Sequence, residues 1–482
     1  MAASFLFYDL ETSGVNPREA RIMQFAAQRT NLDLEPIGEP YNYLIRLTAD
    51  VLPDPEAILV TGITPQQTID GGYTEAEFLK IFHTDIATPG TIFTGFNSVR
   101  FDDEFLRFLN YRNFYDPYEW SWKDDRSRWD MLDVVRMTRA LRPDGIKWPF
   151  ASDGSATNRL ELLAELNQLT HEKAHDALSD VQATIALAQL IKQQQPKLFD
   201  FLLSMRDKRA VADIVSSNQP FVYTSGRYDS EFEKTTVAVH LADVPDQPGA
   251  ALVYDLRYDA QEYTDKSEDD LLKTWQARHN EREFPMPVKI LRYNRCPAIA
   301  PLGVLDEASQ KRLAIDTSQV KKNYKKLQTH RSTLASAFQN VAQASRPSEQ
   351  ERLFDADKVD VDSRLYDGFF SRKDSELLAR VRAAKPEDLT TTRFTFQDDR
   401  LNALLPLYKA RNYPESLSSE EQMEWENFRY RRLVQGDEKS WLARFSRQLQ
   451  VTAERIASQS PDKQYLLEEL QLYAESIAPI EP

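Results

Sequence analysis

The sequence predicts three successive units: an α/β domain, a small β-rich domain and an all-helical domain. Three observations carry this reading. Residues 1 to about 195 alternate short apolar runs with longer amphipathic stretches. From about 200 to 348 the patterns become strands separated by turn residues. Beyond about residue 352 nearly every window has helical periodicity, with Leu and Glu common and Gly scarce. A chain of 482 residues also exceeds what one ordinary core can hold. The expected boundaries are 1–195, 196–348 and 352–482.

The elements follow in order. "ASFLFYDLET", "MQFAAQRTNL" and "EPYNYLIRL" read as the first three strands and "GTIFTGFNS" as another. "DDEFLRFLNYR", "WDMLDVVRMTRAL" and "HDALSDVQATIALAQLIKQQQP" read as amphipathic helices, the last closed by Pro196. In the middle unit "QPFVYTSGRYD", "TTVAVHLADV", "GAALVYDLRYDA" and "FPMPVKILRYN" read as strands, and a helix begins near "SQVKKNYKKLQTH". "QASRPSEQE", Gln343 to Glu351, reads as a linker. The chain shows no internal repeat and no low-complexity tract.

Composition narrows the function classes. A hydrophobic fraction of 41% with 11% aromatics is that of a folded, soluble protein. No run of about 18 apolar residues occurs, so no membrane span is expected, and "MAASFLFYDL" lacks the features of a signal peptide. Cys296 is the only cysteine, which excludes an internal disulfide, argues against a thiolate zinc site and points to the cytoplasm. With 60 basic against 75 acidic residues the net charge is −15. That disfavours coating nucleic acid by bulk charge, and leaves open a local basic groove or a metal site.

The first strand carries two acids where an apolar run should carry none. In a strand, residues i and i+2 share a face, so Asp9 and Glu11 project together. Such a pair repels unless a cation intervenes, and an all-oxygen ligand set suits Mg²⁺ or Mn²⁺. A plain acidic strand face is the alternative. Asp102 follows an apolar strand at the start of a helix, where it or Asp103 could equally be a helix cap. His175 precedes the helix carrying Asp180. A loop histidine and a solvated helix face would place the same residues there.

Taken together, Asp9, Glu11, Asp102, and His175 followed five residues later by Asp180 resemble the signature of DEDDh exonucleases, of the ribonuclease-H-like superfamily. "AILVTGITPQQ", with Thr61, Gly62 and Ile63, is similar to the segment by which such enzymes contact the terminal nucleotide. "NRLELLAELNQLTHEKAHDALSDVQAT" matches the third motif, and its Arg159 is similar to a position that meets the substrate. "YRNFYDPYEWSWKDDRSRWD" and "LYDGFFSRKD" extend the likeness to the bacterial exodeoxyribonuclease I family over essentially the whole chain. That family's architecture implies a ribonuclease-H-like exonuclease domain, an SH3-like domain and a helical domain. Together these would enclose single-stranded DNA in a channel, and such an enclosure would function as a monomer.

The resemblance also implies roles. Asp9 would bridge two Mg²⁺ ions, which Mn²⁺ could replace; Glu11 and Asp180 would complete the nucleophile-side metal, and Asp102 would hold the other. Glu11 would in addition touch the substrate. His175 would take a proton from the attacking water, so activity should fall in mild acid, near the unperturbed imidazole pKa of roughly 6.5. The implied reaction degrades single-stranded DNA from the 3′ end to 5′-mononucleotides, in repair and recombination. A ribonuclease on the same residues and a non-catalytic strand binder are the competing readings. The second would have lost a ligand or the histidine, and none is missing.

Between Arg107 and Arg128 the rings of Tyr111, Phe114, Tyr115, Tyr118, Trp120 and Trp122 are interleaved with cations. Rings that stack bases, beside cations that track phosphates, hold single strands without reading sequence, although some of these rings must be core. Arg107, Tyr118, Trp122 and Arg136 are the residues expected to face the strand. From Thr317 to Ser348 there is no acid, while Lys321, Lys322, Lys325, Lys326, Arg331 and Arg346 contribute six positive charges. This face is expected to be a phosphate track or a dock for an acidic peptide. The resemblance names a candidate, the acidic C-terminal tail of single-strand-binding protein.

Overall fold

The structure, a computed structural model, describes residues 3–169, 176–346, 360–389, 394–456 and 461–479. Strand β1 (Ser4–Thr12) is buried on both faces, as its unbroken apolar run requires. Phe5 and Phe7 point to one side, into a core with Val134, Val135, Val181 and Leu187. Leu6, Tyr8 and Leu10 point to the other, against Phe78, Phe82, Phe105 and Leu109. Each such buried side chain contributes about 1.5–3 kcal/mol.

β1 pairs antiparallel with β2 (Ile22–Thr30), which pairs antiparallel with β3 (Tyr41–Leu44). On its other side β1 runs parallel to β4 (Thr91–Gly95), and β4 runs parallel to β5 (Ser127–Asp130), giving the order β3-β2-β1-β4-β5. Short helices α1 (Pro55–Thr61), α2 (Pro65–Gly71) and α3 (Glu75–Ile81) follow β3. Helix α4 (Asp102–Arg112) follows β4, α5 (Met131–Leu141) follows β5, and α6 (Leu160–Leu166) precedes α7 (Ala177–Gln194), which crosses β1 and β2.

Two expectations are corrected here. Trp129 and Asp130, read as the start of a helix, close strand β5; the Asp130 side chain accepts from the Leu132 N–H at 2.9 Å and the helix begins only at Met131. Residues 196–216, read as the start of the β-rich region, are helices α8 (Pro196–Ser204) and α9 (Lys208–Ser216). Pro196 therefore opens a helix as well as following one. At the first helical position its missing N–H costs nothing and its φ is already helical. Phe199 of α8 packs edge-on against Trp129, ring centroids 5.0 Å apart.

The second sheet is wholly antiparallel, in the order β10-β6-β7-β8-β9. It comprises β6 (Phe221–Thr224), β7 (Thr235–Asp243), β8 (Ala250–Asp255), β9 (Val288–Arg292) and β10 (Ala298–Pro301), the last not expected from sequence. Helices α10 (Glu268–Gln276), α11 (Glu307–Arg312) and the 28-residue α12 (Thr317–Ala344) accompany it. Of the expected linker, α12 takes Gln343 and Ala344, and 347–351 lie outside the described residues.

The described part of the chain from Asp360 onward contains no strand. Its long helices are α13 (Arg372–Ala383), α14 (Asp399–Asn412), α15 (Ser419–Leu433), α16 (Trp441–Ile456) and α17 (Pro461–Ile477). They pack back on the first unit. Phe108, Tyr111 and Phe114 share a core with Leu401, Leu404 and Tyr408, and Met23 and Ile58 share one with Phe445, Leu467 and Leu470. Among the described residues no helix is long and apolar enough to cross a membrane.

Candidate active site

Asp9 and Glu11 continue the Phe5–Phe7 face of β1, where the strand passes under α7. A register shift against β2 between Glu11 and Thr12 bends the strand just beyond the pair, a device that re-aims side chains beside functional sites. Asp180 projects from the first turn of α7, where the N-terminal dipole favours negative charge. The helix start is set by Asp176, whose side chain accepts from the N–H groups of Leu178 and Ser179. One carboxylate oxygen from each of Asp9, Glu11 and Asp180 lies within 4.8 Å of the others.

The electrostatics match this crowding. Burial, then Asp180, raises Asp9 well above the ordinary carboxylate range. Burial, then Asp9, Asp180 and Asp176, pushes Glu11 up to about 9. Asp102, only 3% exposed at the first position of α4, is raised by burial and then by Asp9. Asp9 therefore interacts with both Asp180 and Asp102, and stands electrically between them.

The ambiguity between Asp102 and Asp103 resolves by geometry. Asp103 accepts from the Tyr8 hydroxyl at 2.6 Å and pairs with Arg128, so it is held by the scaffold. Asp130, which sequence reading passed over, accepts from the N–H groups of Asn97 and Val99 and ties the loop after β4 to the end of β5. Burial, then Asp133, raises its carboxyl to about 6. Its strand-end position beside an apolar helix was the available signal.

His175 lies outside the described residues, one position before the Asp176 cap. Thr61 closes α1, Gly62 adopts the left-handed conformation (φ 69°) that ends it, and Ile63 leads into α2 through the Thr64 capping box. Ile63 packs against the core that α1 shares with α16 and α17, so the C-terminal helices support this turn. Arg159 is exposed at the residue preceding α6.

The aromatic segment separates into core and surface. Tyr111, Phe114 and Trp120 are each 0% exposed, and Tyr115 stacks on His83 at 4.1 Å. Tyr118 is half-buried with the Arg107 guanidinium 5.6 Å above its ring, while Trp122 is 60% exposed. Arg107 donates to Glu104 at 2.6 Å, and Glu104 also accepts from Arg295 at 2.8 Å and from Tyr366. Arg136 pairs with Asp133 at 2.7 Å and reaches the turn at Gly226 of the second sheet.

These contacts border a groove of about 430 Å³ where all three parts of the chain meet, lined by Arg100, Arg227, Arg292, Arg295 and Tyr366 among others. Phe369, 87% exposed, lies 5.9 Å from the Tyr118 ring. Sequence reading did not single out these residues, because they come together only when the units pack.

The lysine-rich face is less free than its sequence implies. Lys326 pairs with Asp259, Arg331 donates to Asn218 and the His240 carbonyl, and Arg346 donates to the Pro245 carbonyl. Lys321, Lys322 and Lys325 remain exposed without an ion pair among the described residues. Cys296 is buried, its thiol donating to the Arg128 carbonyl at 3.1 Å, and burial pushes that thiol up to about 12.

Comparison with known proteins places this geometry. Residues 6–188 match the family model described as Exonuclease, 206–343 that of the exonuclease I SH3-like domain, and 359–477 that of the exonuclease I C-terminal domain. The chain is 39% identical over 436 residues to the exodeoxyribonuclease I of Haemophilus influenzae, covering 89% of this chain and 90% of that one. It is 38% identical over 482 residues to that of Escherichia coli, covering 98% of each. The crystal structure of E. coli exonuclease I in complex with a dA16 oligonucleotide superposes with a TM-score of 0.90 at 36% identity, covering 98% of this chain and 100% of that one. The zinc-bound form of an E. coli complex with single-stranded DNA also scores 0.90, at 36% identity, over 99% of this chain and 100% of that one. The ribonuclease-H-like, SH3-like and helical architecture is thus the observed one, and the chain belongs to the exodeoxyribonuclease I family.

Proposed function

We propose that this chain is a divalent-metal-dependent exodeoxyribonuclease that degrades single-stranded DNA from the 3′ end to 5′-mononucleotides, in DNA repair and recombination. The observation that carries the reading is the convergence of Asp9, Glu11 and Asp180 within 4.8 Å, in a chain of this family, with the charge of Asp9 also acting on the buried Asp102 carboxyl. Buried carboxylates at this spacing are costly unless a cation offsets them, and their all-oxygen donor set fits Mg²⁺ or Mn²⁺. Two such ions, Mg²⁺ with Mn²⁺ able to substitute, would supply Lewis-acid stabilisation of the attacking and leaving oxygens.

The remaining work falls to the chain. Asp9 is the carboxylate shared by the two halves of the site, Glu11 and Asp180 complete one half, and Asp102 the other. β1, the first turn of α4 and the Asp176-capped start of α7 hold the four groups in place. His175 receives the proton of the attacking water. Glu11, with the Thr61–Gly62–Ile63 turn and Arg159, positions the terminal nucleotide. Arg107, Tyr118, Trp122 and Arg136 guide the strand along the groove. Units of 1–195, 196–348 and 352–482 act as one monomeric enclosure on cytoplasmic DNA.

Partner docking rests on the lysines left unpaired. An acidic peptide, of the kind at the end of single-strand-binding protein, would meet Lys321, Lys322 and Lys325. Reversing Lys322 and Lys325 to Glu should weaken that contact and spare hydrolysis of short oligonucleotides; equal loss on both would count against docking.

The test uses a 5′-labelled single strand with Mg²⁺ or EDTA, beside Asp180→Ala, with duplex and RNA in parallel. A metal-dependent ladder shortening from the 3′ end, absent in the variant and on duplex, is expected. Tight binding without cleavage would leave a strand-binding protein, and cleavage of RNA alone a ribonuclease.

A further inference from the structure

The helix that carries Asp102 starts without a side-chain cap. The residue before it is Phe101, which has no oxygen to offer the first turn of α4. Yet a Mg²⁺ ligand must be held closely, because that ion demands near-octahedral oxygens at about 2.0–2.1 Å. The structure holds Asp102 through its neighbour. Asp103 is 1% exposed; one of its oxygens accepts from the Tyr8 hydroxyl at 2.6 Å and the other pairs with Arg128. Tyr8 precedes Asp9 on β1 and points to the opposite face. One strand therefore brings Asp9 to the site and anchors Asp103 from behind.

Arg128 carries the chain of contacts into the SH3-like unit. Its other terminal nitrogen donates to the Asn294 carbonyl at 2.8 Å, and its own carbonyl accepts from the Cys296 thiol at 3.1 Å. Between those two residues, Arg295 donates to the Val99 carbonyl at 2.6 Å and to the Glu104 carboxylate at 2.8 Å. The turn joining β9 to β10 therefore grips the backbone before Asp102 and, through Arg128 and Arg295, the two side chains that follow it.

We propose that Asp103 and Arg128 are positioning residues that set Asp102 relative to Asp9, with Tyr8 and the Asn294–Cys296 turn as their two anchors. The proposal rests on the metal reading above. It makes the SH3-like unit a structural part of the metal site, independently of the strand. Removing a group that orients a metal ligand lowers metal affinity or activity about 10- to 100-fold.

The experiment compares Tyr8→Phe, Asp103→Asn, Arg128→Met and Arg128→Lys in the full chain. Electron paramagnetic resonance reads Mn²⁺ binding in the presence of thymidine 5′-monophosphate, beside kcat and KM on a single strand, strand affinity in EDTA and the unfolding midpoint. The first three variants should weaken Mn²⁺ binding and lower kcat by about 10- to 100-fold, with KM and strand affinity unchanged. Arg128→Lys keeps the ion pair but loses the fork that reaches Asn294, so it should fall between wild type and Arg128→Met. The sign separates positioning from simple charge. Arg128→Met removes a cation, so Coulomb attraction alone would tighten Mn²⁺ binding, whereas lost positioning weakens it. Tyr8→Phe removes one oxygen and no charge, and it decides the case if a charge variant fails to fold. Wild-type Mn²⁺ affinity and kcat in Tyr8→Phe, or tighter Mn²⁺ binding in Arg128→Met, overturns this inference alone. A wild-type chain that binds no Mn²⁺ overturns the metal reading and this inference with it.

Discussion

Asp362 is the residue whose removal should most weaken the attachment of the helical unit to the exonuclease unit. It is 0% exposed and accepts from Arg21 at 2.7 Å, from Arg411 at 2.8 and 2.7 Å and from Arg432 at 3.0 Å. Arg411 also donates to the equally buried Asp50 at 2.7 Å. Arg21 and Asp50 belong to the exonuclease unit and the other three to the helical one, so the network spans the contact. Asp362→Asn removes the one carboxylate that all three guanidinium groups share, leaving Asp50 to Arg411, the part-exposed Asp360 to Arg432, and only Glu75, at 3.9 Å, to Arg21. Breaking a buried pair from one side costs about 3–5 kcal/mol, a fall of some hundred- to several-thousandfold in the folded-to-unfolded ratio.

The control is Glu56, which pairs with Arg455 across the same two units at 2.5 Å, both side chains about half exposed. Glu56→Gln should cost at most about 1 kcal/mol, because solvent screens that pair. Urea unfolding by tryptophan fluorescence compares the two, with limited proteolysis to detect release of the helical unit. Asp362→Asn no more destabilising than Glu56→Gln would refute the reasoning. The pH dependence gives a second check. Burial opposes ionising Asp362, but Arg411, Arg21 and Arg432 outweigh it, so its folded pKa lies well below the ordinary value. A depressed carboxylate stabilises fully above its unfolded pKa of about 4 and loses that contribution as pH falls toward the folded value. Wild-type stability should therefore drop more steeply below pH about 4 than that of Asp362→Asn.

Four further outcomes are expected. Asp9→Asn and Asp180→Ala should each lower hydrolysis at least about a hundredfold while retaining single-strand affinity in EDTA, as gel ladders and anisotropy would report. Trp122→Ala should weaken strand binding by about 1–3 kcal/mol with unfolding unchanged, whereas Trp120→Ala, at a fully buried ring, should cost about 3–5 kcal/mol of stability. Burial draws His83 down to about 4, so its stabilising contribution is complete above the unfolded value near 6.5 and falls away by about 3 kcal/mol as pH drops to 4. Chemical denaturation across that window, with His83→Gln as the non-titrating comparison, measures it. His175→Ala should abolish turnover and leave the carboxylate cluster's Mn²⁺ affinity within about threefold, read by electron paramagnetic resonance.

Much of the fold was legible locally. β1 was visible from its unbroken apolar run, and Asp9 and Glu11 stood out because a strand's period of two puts both on one face. The span read as a helix from "DDEFLRFLNYR" is the span of α4, since its apolar spacing and acidic first turn are properties of the segment itself. The helices from Pro196 to Ser216 were missed because their apolar residues pack on Trp129 and on the second sheet, neither of which is near in sequence. "SRWD" is a strand because it pairs with β4 and not because of its own pattern.

The sequence by itself thus determined the fold class, the order of the three units and the placing of Asp9 and Glu11 on one face of β1. These depend on periodicities and motifs a few residues long. Only the tertiary structure decided which of two adjacent aspartates is tied to the scaffold, through Tyr8 and Arg128, and which of the aromatics between Arg107 and Arg128 are core. It alone brought the groove arginines together and buried Asp362 among Arg21, Arg411 and Arg432. Those outcomes depend on where a side chain ends once distant segments pack, and burial is a property of the neighbours, which no local spacing encodes.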